Sequence, residues 1–266
     1  MSSTSAERPA DVERPSRQPL AGQTCLVTGA SRGIGRGIAC ELGRHGATII
    51  VNYRSSEAAA HEVADAITDA DTEGTARPIQ ADVTDPSEVD AMREAVRETV
   101  GPIDVLVTNA GITSDRTFAD MTREDWHRVL DVSLHGTFNC TKAFYDDLET
   151  ADDGRLIAIS SVVGKQGNVG QANYAAAKSG LFGFTRSLAL ELAGSGATAN
   201  CVAPGFTRTE MVEAIPDGIQ DDLRDDIPLE RFATVNEIAG LVRYLAGERS
   251  GYITGEVIDI NGGIDL

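Results

Sequence analysis

Residues 24–46 read TCLVTGASRGIGRGIACELGRHG. The opening TCLVT is a short apolar run, long enough for a buried strand and too short for a helix. From Gly33 the apolar residues fall at helical spacing, and the run closes on Gly46, a helix stop signal. Between strand and helix stand Gly29, Gly33 and Gly35, spaced G-x-x-x-G-x-G. Glycines at such a junction allow a tight turn and let a pyrophosphate approach the backbone. The helix N-terminus adds free N–H groups and partial positive charge. The spacing alone is a weak signal; flanked by a strand and a helix it predicts a nucleotide-binding unit.

The same rhythm continues outward. TIIVNY (48–53), ARPIQAD (76–82), IDVLVTNAG (103–111), RLIAIS (155–160), ATANCVAPG (197–205) and GEVIDING (255–262) read as further strands. Helices are expected near 55–70, from the Asp85 cap and Pro86 to Gly101, and over 122–149, 171–194 and 236–247. Strands alternating with helices make a parallel sheet covered on both faces, and right-handed crossovers make it doubly wound. The expected fold class is α/β: one Rossmann-type domain over residues 20–266, with a doubly wound parallel sheet of about seven strands. Residues 206–230 interrupt the pattern with a polar stretch holding Pro216 and Pro228, and are expected to form a lid over the site. The polar, proline-rich residues 1–19 are expected to be a disordered extension.

The 266 residues carry a formal net charge of -18, and Lys142, Lys165 and Lys178 are the only lysines. Such a chain repels phosphate backbones and anionic lipid, which excludes nucleic acid and membrane surfaces as partners. Scarce lysine with abundant carboxylates points to a protein working in high salt, where the self-repulsion is screened; an ordinary acidic cytosolic protein is the alternative. Cys25, Cys40, Cys140 and Cys201 have no metal-ligand or disulfide spacing, and Cys25 and Cys201 sit in apolar runs that suit the core. With no apolar leader and no run of membrane length, a cytoplasmic location and no metal are expected.

Asn173–Gly180 reads NYAAAKSG. Alanines favour a helix, and the i, i+4 spacing puts Tyr174 and Lys178 on one face. An ammonium beside a phenol favours the phenolate, so Lys178 is expected to lower the Tyr174 pKa and tune it as a general acid. The second strand ends VNYRSS, without the acid that binds the ribose 2′-hydroxyl of NAD. Arg54, Ser55 and Ser56 stand there instead, and Arg32 lies in the glycine loop. Two guanidiniums suit a 2′-phosphate, so the expected cofactor is NADP(H).

TGASRGIG, the NAG of residues 109–111, Ser161 thirteen positions before Tyr174, YAAAK and the PG of residues 204–205 together resemble the short-chain dehydrogenase/reductase family from about residue 20 to the C-terminus. Within it, SSVVGKQGNVGQANYAAAKSG, APGFTRTEM and YITGEVIDINGG are similar to the 3-oxoacyl thioester reductases. The resemblance implies cofactor contacts from Gly29, Ser31, Arg32, Gly33, Ile34, Gly35 and Arg54. It implies that Asp82 and Val83 meet the adenine, that Asn109 and Gly111 line the cofactor floor, and that Pro204, Gly205 and Thr207 border the nicotinamide. It makes Ser161, Tyr174 and Lys178 catalytic, with Ser161 holding the substrate carbonyl, Tyr174 giving the proton and Lys178 reaching the nicotinamide ribose. Gln166, Asn168 and Gln171 are candidates for the substrate pocket. The family usually has an asparagine anchoring a proton-relay water where DVSLHGTF places Ser133. A shorter hydroxyl leaves two readings, a substitute anchor or a different relay; His135 is expected to serve packing or an interface.

Two substrates fit: acetoacetyl-CoA, reduced to (R)-3-hydroxybutyryl-CoA for polyhydroxyalkanoate storage, and a 3-oxoacyl carrier protein of fatty acid synthesis. The scarcity of lysine, and the isoprenoid lipids of the salt-loving archaea that the composition evokes, favour the CoA ester. A non-catalytic NADP-binding regulator is the reading from another class. The family's habit of pairing through the helices near 122–149 and 171–194 implies a homotetramer.

Overall fold

Seven parallel strands form one sheet in the order β3-β2-β1-β4-β5-β6-β7. They are β1 (Thr24–Val27), β2 (Thr48–Tyr53), β3 (Thr75–Gln80), β4 (Val105–Thr108), β5 (Arg155–Ile159), β6 (Thr198–Pro204) and β7 (Val257–Ile260). This computed structural model describes residues 18–213 and 217–266. The expected extension therefore lies outside the described residues through position 17, as do residues 214–216 of the expected lid. Gln18 and Pro19 belong to a turn leading to the fully buried Leu20.

The strands read as continuous apolar runs because both faces are covered. Cys25, Val27, Ile49, Val51, Val105 and Val107 point to one core, closed by Ile38 and Leu42 of α1 (Gly33–Arg44) and Val242 of α10 (Val235–Ala246). Leu26, Ile50, Leu106 and Leu156 point to the other, with Val89 and Met92 of α3 (Pro86–Thr99) and Phe144 and Leu148 of α5 (Gly136–Thr150). The period-2 alternation of each strand thus divides its residues between two cores. Removing one such side chain, as in Leu106→Ala, is a cost of about 2–5 kcal/mol.

Of the remaining helices, α2 (Glu57–Thr68) precedes β3, α4 (Arg123–Leu130) follows β4, and α6 (Val163–Gln166) and α7 (Ala172–Leu192) follow β5. The long helix expected over 122–149 is interrupted: Asp131–His135 is a π-helical turn between α4 and α5. The expected lid holds two short helices, α8 (Glu210–Glu213) and α9 (Asp217–Asp225). Strand order reverses between β1 and β4, where open parallel sheets bind ligands at their C-terminal edge. None of the described helices is long and apolar enough to cross a membrane.

Candidate active site

The glycine loop lies at that reversal. Gly29 and Gly33 adopt φ of 62° and 55°, a region hostile to other residues. A Cβ on Gly35 would stand 2.5 Å from the Gly29 carbonyl oxygen and collide with the Asn109 amide. Arg32 caps α1 with extended backbone and no side-chain bond, so the first N–H groups of the helix remain for a ligand. Neighbouring strand ends hold the loop. The Asn109 amide donates to the Thr28 and Gly29 carbonyls at 2.9 and 3.2 Å, and Thr28 Oγ1 accepts the Asn109 and Ala110 N–H groups. Asn52 accepts the Gly29 N–H at 3.3 Å and donates to the Ala81 carbonyl at 3.1 Å. Asn109 thus lines the cleft and also locks the turn; Asn52 was not legible as a site residue.

Beside the loop, Ser31, Arg32, Arg54, Ser55, Ser56, Asp82 and Val83 wall a cavity of about 150 Å³. Arg54 is largely exposed and its guanidinium stands 3.8 Å from the Asp82 carboxylate, which also accepts from Thr84. Among the described residues Arg32 makes no ion pair within 4 Å. The groups fit an NADP(H) adenosine: β2 ends in Tyr53 rather than an acid, the Arg54 guanidinium and two hydroxyls follow, Arg32 adds a second guanidinium from the glycine loop, and the cradled helix end suits the pyrophosphate.

The adjoining cleft, about 450 Å³, is lined by Gly33, Ile34, Asn109, Gly111, Tyr174 and Lys178, and by Thr209 and Glu210 from the lid. Lys178 is 3% exposed, and its ammonium donates to the Ile159 carbonyl at 2.7 Å. It lies 5.7 Å from the centre of the Tyr174 ring. Burial pulls the Lys178 pKa down to about 8. Burial also pushes the Tyr174 phenol above its ordinary value, an effect that the Ser161 hydroxyl opposes. The expected lowering of the tyrosine by the lysine is therefore corrected: burial is the leading influence on both groups, and the Asp115 charge raises the phenol further. Ser161 in turn accepts the Val163 N–H at 3.2 Å, which orients its hydroxyl.

Ser133, within the π turn, is fully buried and its hydroxyl has no partner among the described residues. A Cβ built on Gly111 would meet Lys178 Nζ at 3.3 Å and Ser133 Oγ at 3.5 Å, so both polar atoms flank one point. His135 faces outward to Asp131 at 2.9 Å. Thr207 departs from expectation. It is buried, bridges to Ala233 and donates to the Gly205 carbonyl, while Thr209 and Glu210 turn into the cleft instead. Pro204 and Gly205 sit at the end of β6, the former accepting the Val162 N–H at 2.8 Å. Gln166 and Asn168 line a separate cavity of about 320 Å³ with Phe206, Leu223 and Asp226. Gln171 does not face it; its amide binds Asn168 and Asp115 at 3.0 Å each.

Two supports escaped the sequence. Asn173, fully buried, donates to the Ser114 and Asp125 carbonyls at 3.1 and 3.0 Å and so seats the start of α7. Lys165 binds Asp259 and Asp265, tying α6 to the C-terminal strand. Both join segments far apart in sequence, and neither carries a local motif.

A phosphate cradle at the sheet reversal, a cationic pair at the adenosine end and a hydroxyl–phenol–ammonium set at the other define a nicotinamide-dependent oxidoreductase. The chain belongs to the short-chain dehydrogenase/reductase family. The profile of the family described as enoyl-(acyl carrier protein) reductase matches residues 29–265. The 3-oxoacyl-[acyl-carrier-protein] reductase FabG of Staphylococcus aureus strain Mu50 is 44% identical over 242 residues, 91% of this chain and 98% of the relative. The 3-oxoacyl-[acyl-carrier-protein] reductase of Synechocystis is 44% identical over 247 residues, 92% and 98%. The FabG of Escherichia coli strain K12 is 42% identical over 243 residues, 91% and 97%.

Proposed function

We propose that this protein reduces a 3-oxoacyl thioester to the (R)-3-hydroxyacyl thioester with NADPH. The observation that carries the reading is the cleft that sets Tyr174 and the buried Lys178 beside the glycine cradle. When bound, NADPH supplies a hydride to C3 of the substrate. Ser161 donates to the 3-oxo oxygen and holds it at the phenol. Tyr174 gives that oxygen its proton as charge develops there. A phenol whose pKa burial raises is fully protonated at neutral pH, which suits the reductive direction. Lys178, with a pKa of about 8, can pass a proton back to the phenolate near neutral pH. Ser133 anchors the water that brings the proton from solvent.

The relatives' names favour an acyl carrier protein as the substrate's carrier over the CoA ester suggested by composition. Acetoacetyl-CoA reduction is kept as a second reading because a net charge of -18 opposes an acidic partner protein. The profile's description names enoyl reduction instead, at a carbon–carbon double bond. NADPH oxidation in high salt with acetoacetyl-carrier protein, acetoacetyl-CoA and a crotonyl thioester separates the three. Turnover is expected with the two 3-oxo substrates, with the higher kcat/KM for the carrier protein. Turnover with crotonyl thioester alone contradicts it, and no turnover with any of them returns the chain to a nucleotide-binding regulator.

A further inference from the structure

The lid segment is rich in carboxylates, whereas the loop after β4 sets Arg116 beside Asp115. On the lid side, Asp221, Asp222, Asp225 and Asp226 are exposed, and Asp226 borders the cavity shared with Gln166 and Asn168. The loop after β4 meets the loop before α7. The Arg116 N–H donates to the Gly170 carbonyl at 2.8 Å, and Gln171 donates to Asp115 at 3.0 Å. Asp115 is near enough to Tyr174 for its charge to act on the phenol. Tyr174 follows Gln171 by three residues, about 4.5 Å of helical rise. Arg116 therefore belongs to the loop that lines the cleft through Thr113 and braces the start of α7, the helix that carries the reacting hydroxyl.

Its guanidinium is exposed and makes no ion pair within 4 Å among the described residues. Asp125, the carboxylate that senses its charge, is already engaged by Thr122 and Ser114. An unpaired cation on this loop of so acidic a chain is a docking point for an anion that the lid repels. We propose that Arg116 binds the phosphate of the substrate's phosphopantetheine handle, the group shared by coenzyme A and carrier-protein thioesters. The inference rests on the thioester reading above and adds which way the substrate lies: its handle leaves over Arg116, away from the acidic lid.

The test measures kcat and KM for acetoacetyl-CoA, acetoacetyl-carrier protein and the phosphate-free acetoacetyl-N-acetylcysteamine, with the full chain and its Arg116→Gln and Arg116→Lys variants. The expected result is a KM raised about tenfold by Arg116→Gln for both phosphate-bearing substrates, kcat unchanged, and no change for the N-acetylcysteamine ester. Arg116→Lys should recover part of the loss. An equal effect on all three substrates, or none, overturns the inference while leaving the thioester reading intact. A loss confined to the carrier protein also overturns it, since the arginine would then meet the protein's surface rather than the handle. If the unaltered enzyme reduces none of the three, the thioester reading fails and takes the inference with it.

Discussion

Burial costs Lys178 more of its charge than any neighbour restores: the ammonium has one carbonyl partner, that of Ile159 at 2.7 Å, and its pKa falls to about 8. A lowered lysine pKa means that the unfolded chain binds the proton more tightly, so the group's cost is largest below the folded pKa and fades as pH rises toward the unfolded value. Lys178→Met should therefore stabilise the cofactor-free protein by about 3 kcal/mol at about pH 7, with the gain shrinking toward about pH 10. Denaturant melts at the two pH values check it, and a gain independent of pH would contradict it. Tyr174→Phe should remove more than about 99% of turnover while leaving the NADPH dissociation constant within about twofold, read by turnover assay and fluorescence titration. A Gly35→Ala change should do the reverse and abolish cofactor binding, because its methyl group meets the Gly29 carbonyl and Asn109. The residue pair itself was legible from i, i+4 spacing. Its electrostatics were not, because the sign of a pKa shift depends on what covers the groups, and the covering strands and lid come from distant sequence.

At the scale of elements, each buried strand was legible from its apolar run and the β1–α1 junction from its glycines. The break at Asp131–His135 was not, since one widened turn leaves the apolar spacing of a long helix nearly intact. That turn nonetheless aims Ser133 at the space beside Lys178. Ser133→Ala should lower kcat several-fold without raising KM. It should leave thermal stability unchanged or slightly higher, because the buried hydroxyl has no partner to lose among the described residues. A parallel loss of kcat and stability would mean that the hydroxyl serves packing. The Lys165 clamp makes a separate prediction. Freeing α6 from the C-terminal strand by Lys165→Met should raise KM more than it lowers kcat, because α6 carries Gln166 and leads into Asn168 at the cavity proposed for the substrate. Lys165→Arg should restore KM; steady-state kinetics on the two variants distinguish this from simple unfolding.

For the whole molecule, the charge of -18 on 266 residues opposes compaction at low ionic strength and is screened within about 3 Å in molar salt. The denaturation midpoint should rise with salt from about 0.1 M to about 2 M, and a flat response would contradict the high-salt reading. A tetrameric mass by light scattering in molar salt is expected; a monomer would defeat that assembly. Cradle, phenol and substrate are proposed to act together in one step, and isotope transfer tests this most directly. NADPH deuterated at the transferable position should give a 3-hydroxyacyl thioester carrying one deuterium at C3, and the Tyr174→Phe protein should give none. Deuterium in a saturated acyl product, or equal transfer by the Tyr174→Phe protein, would contradict the account.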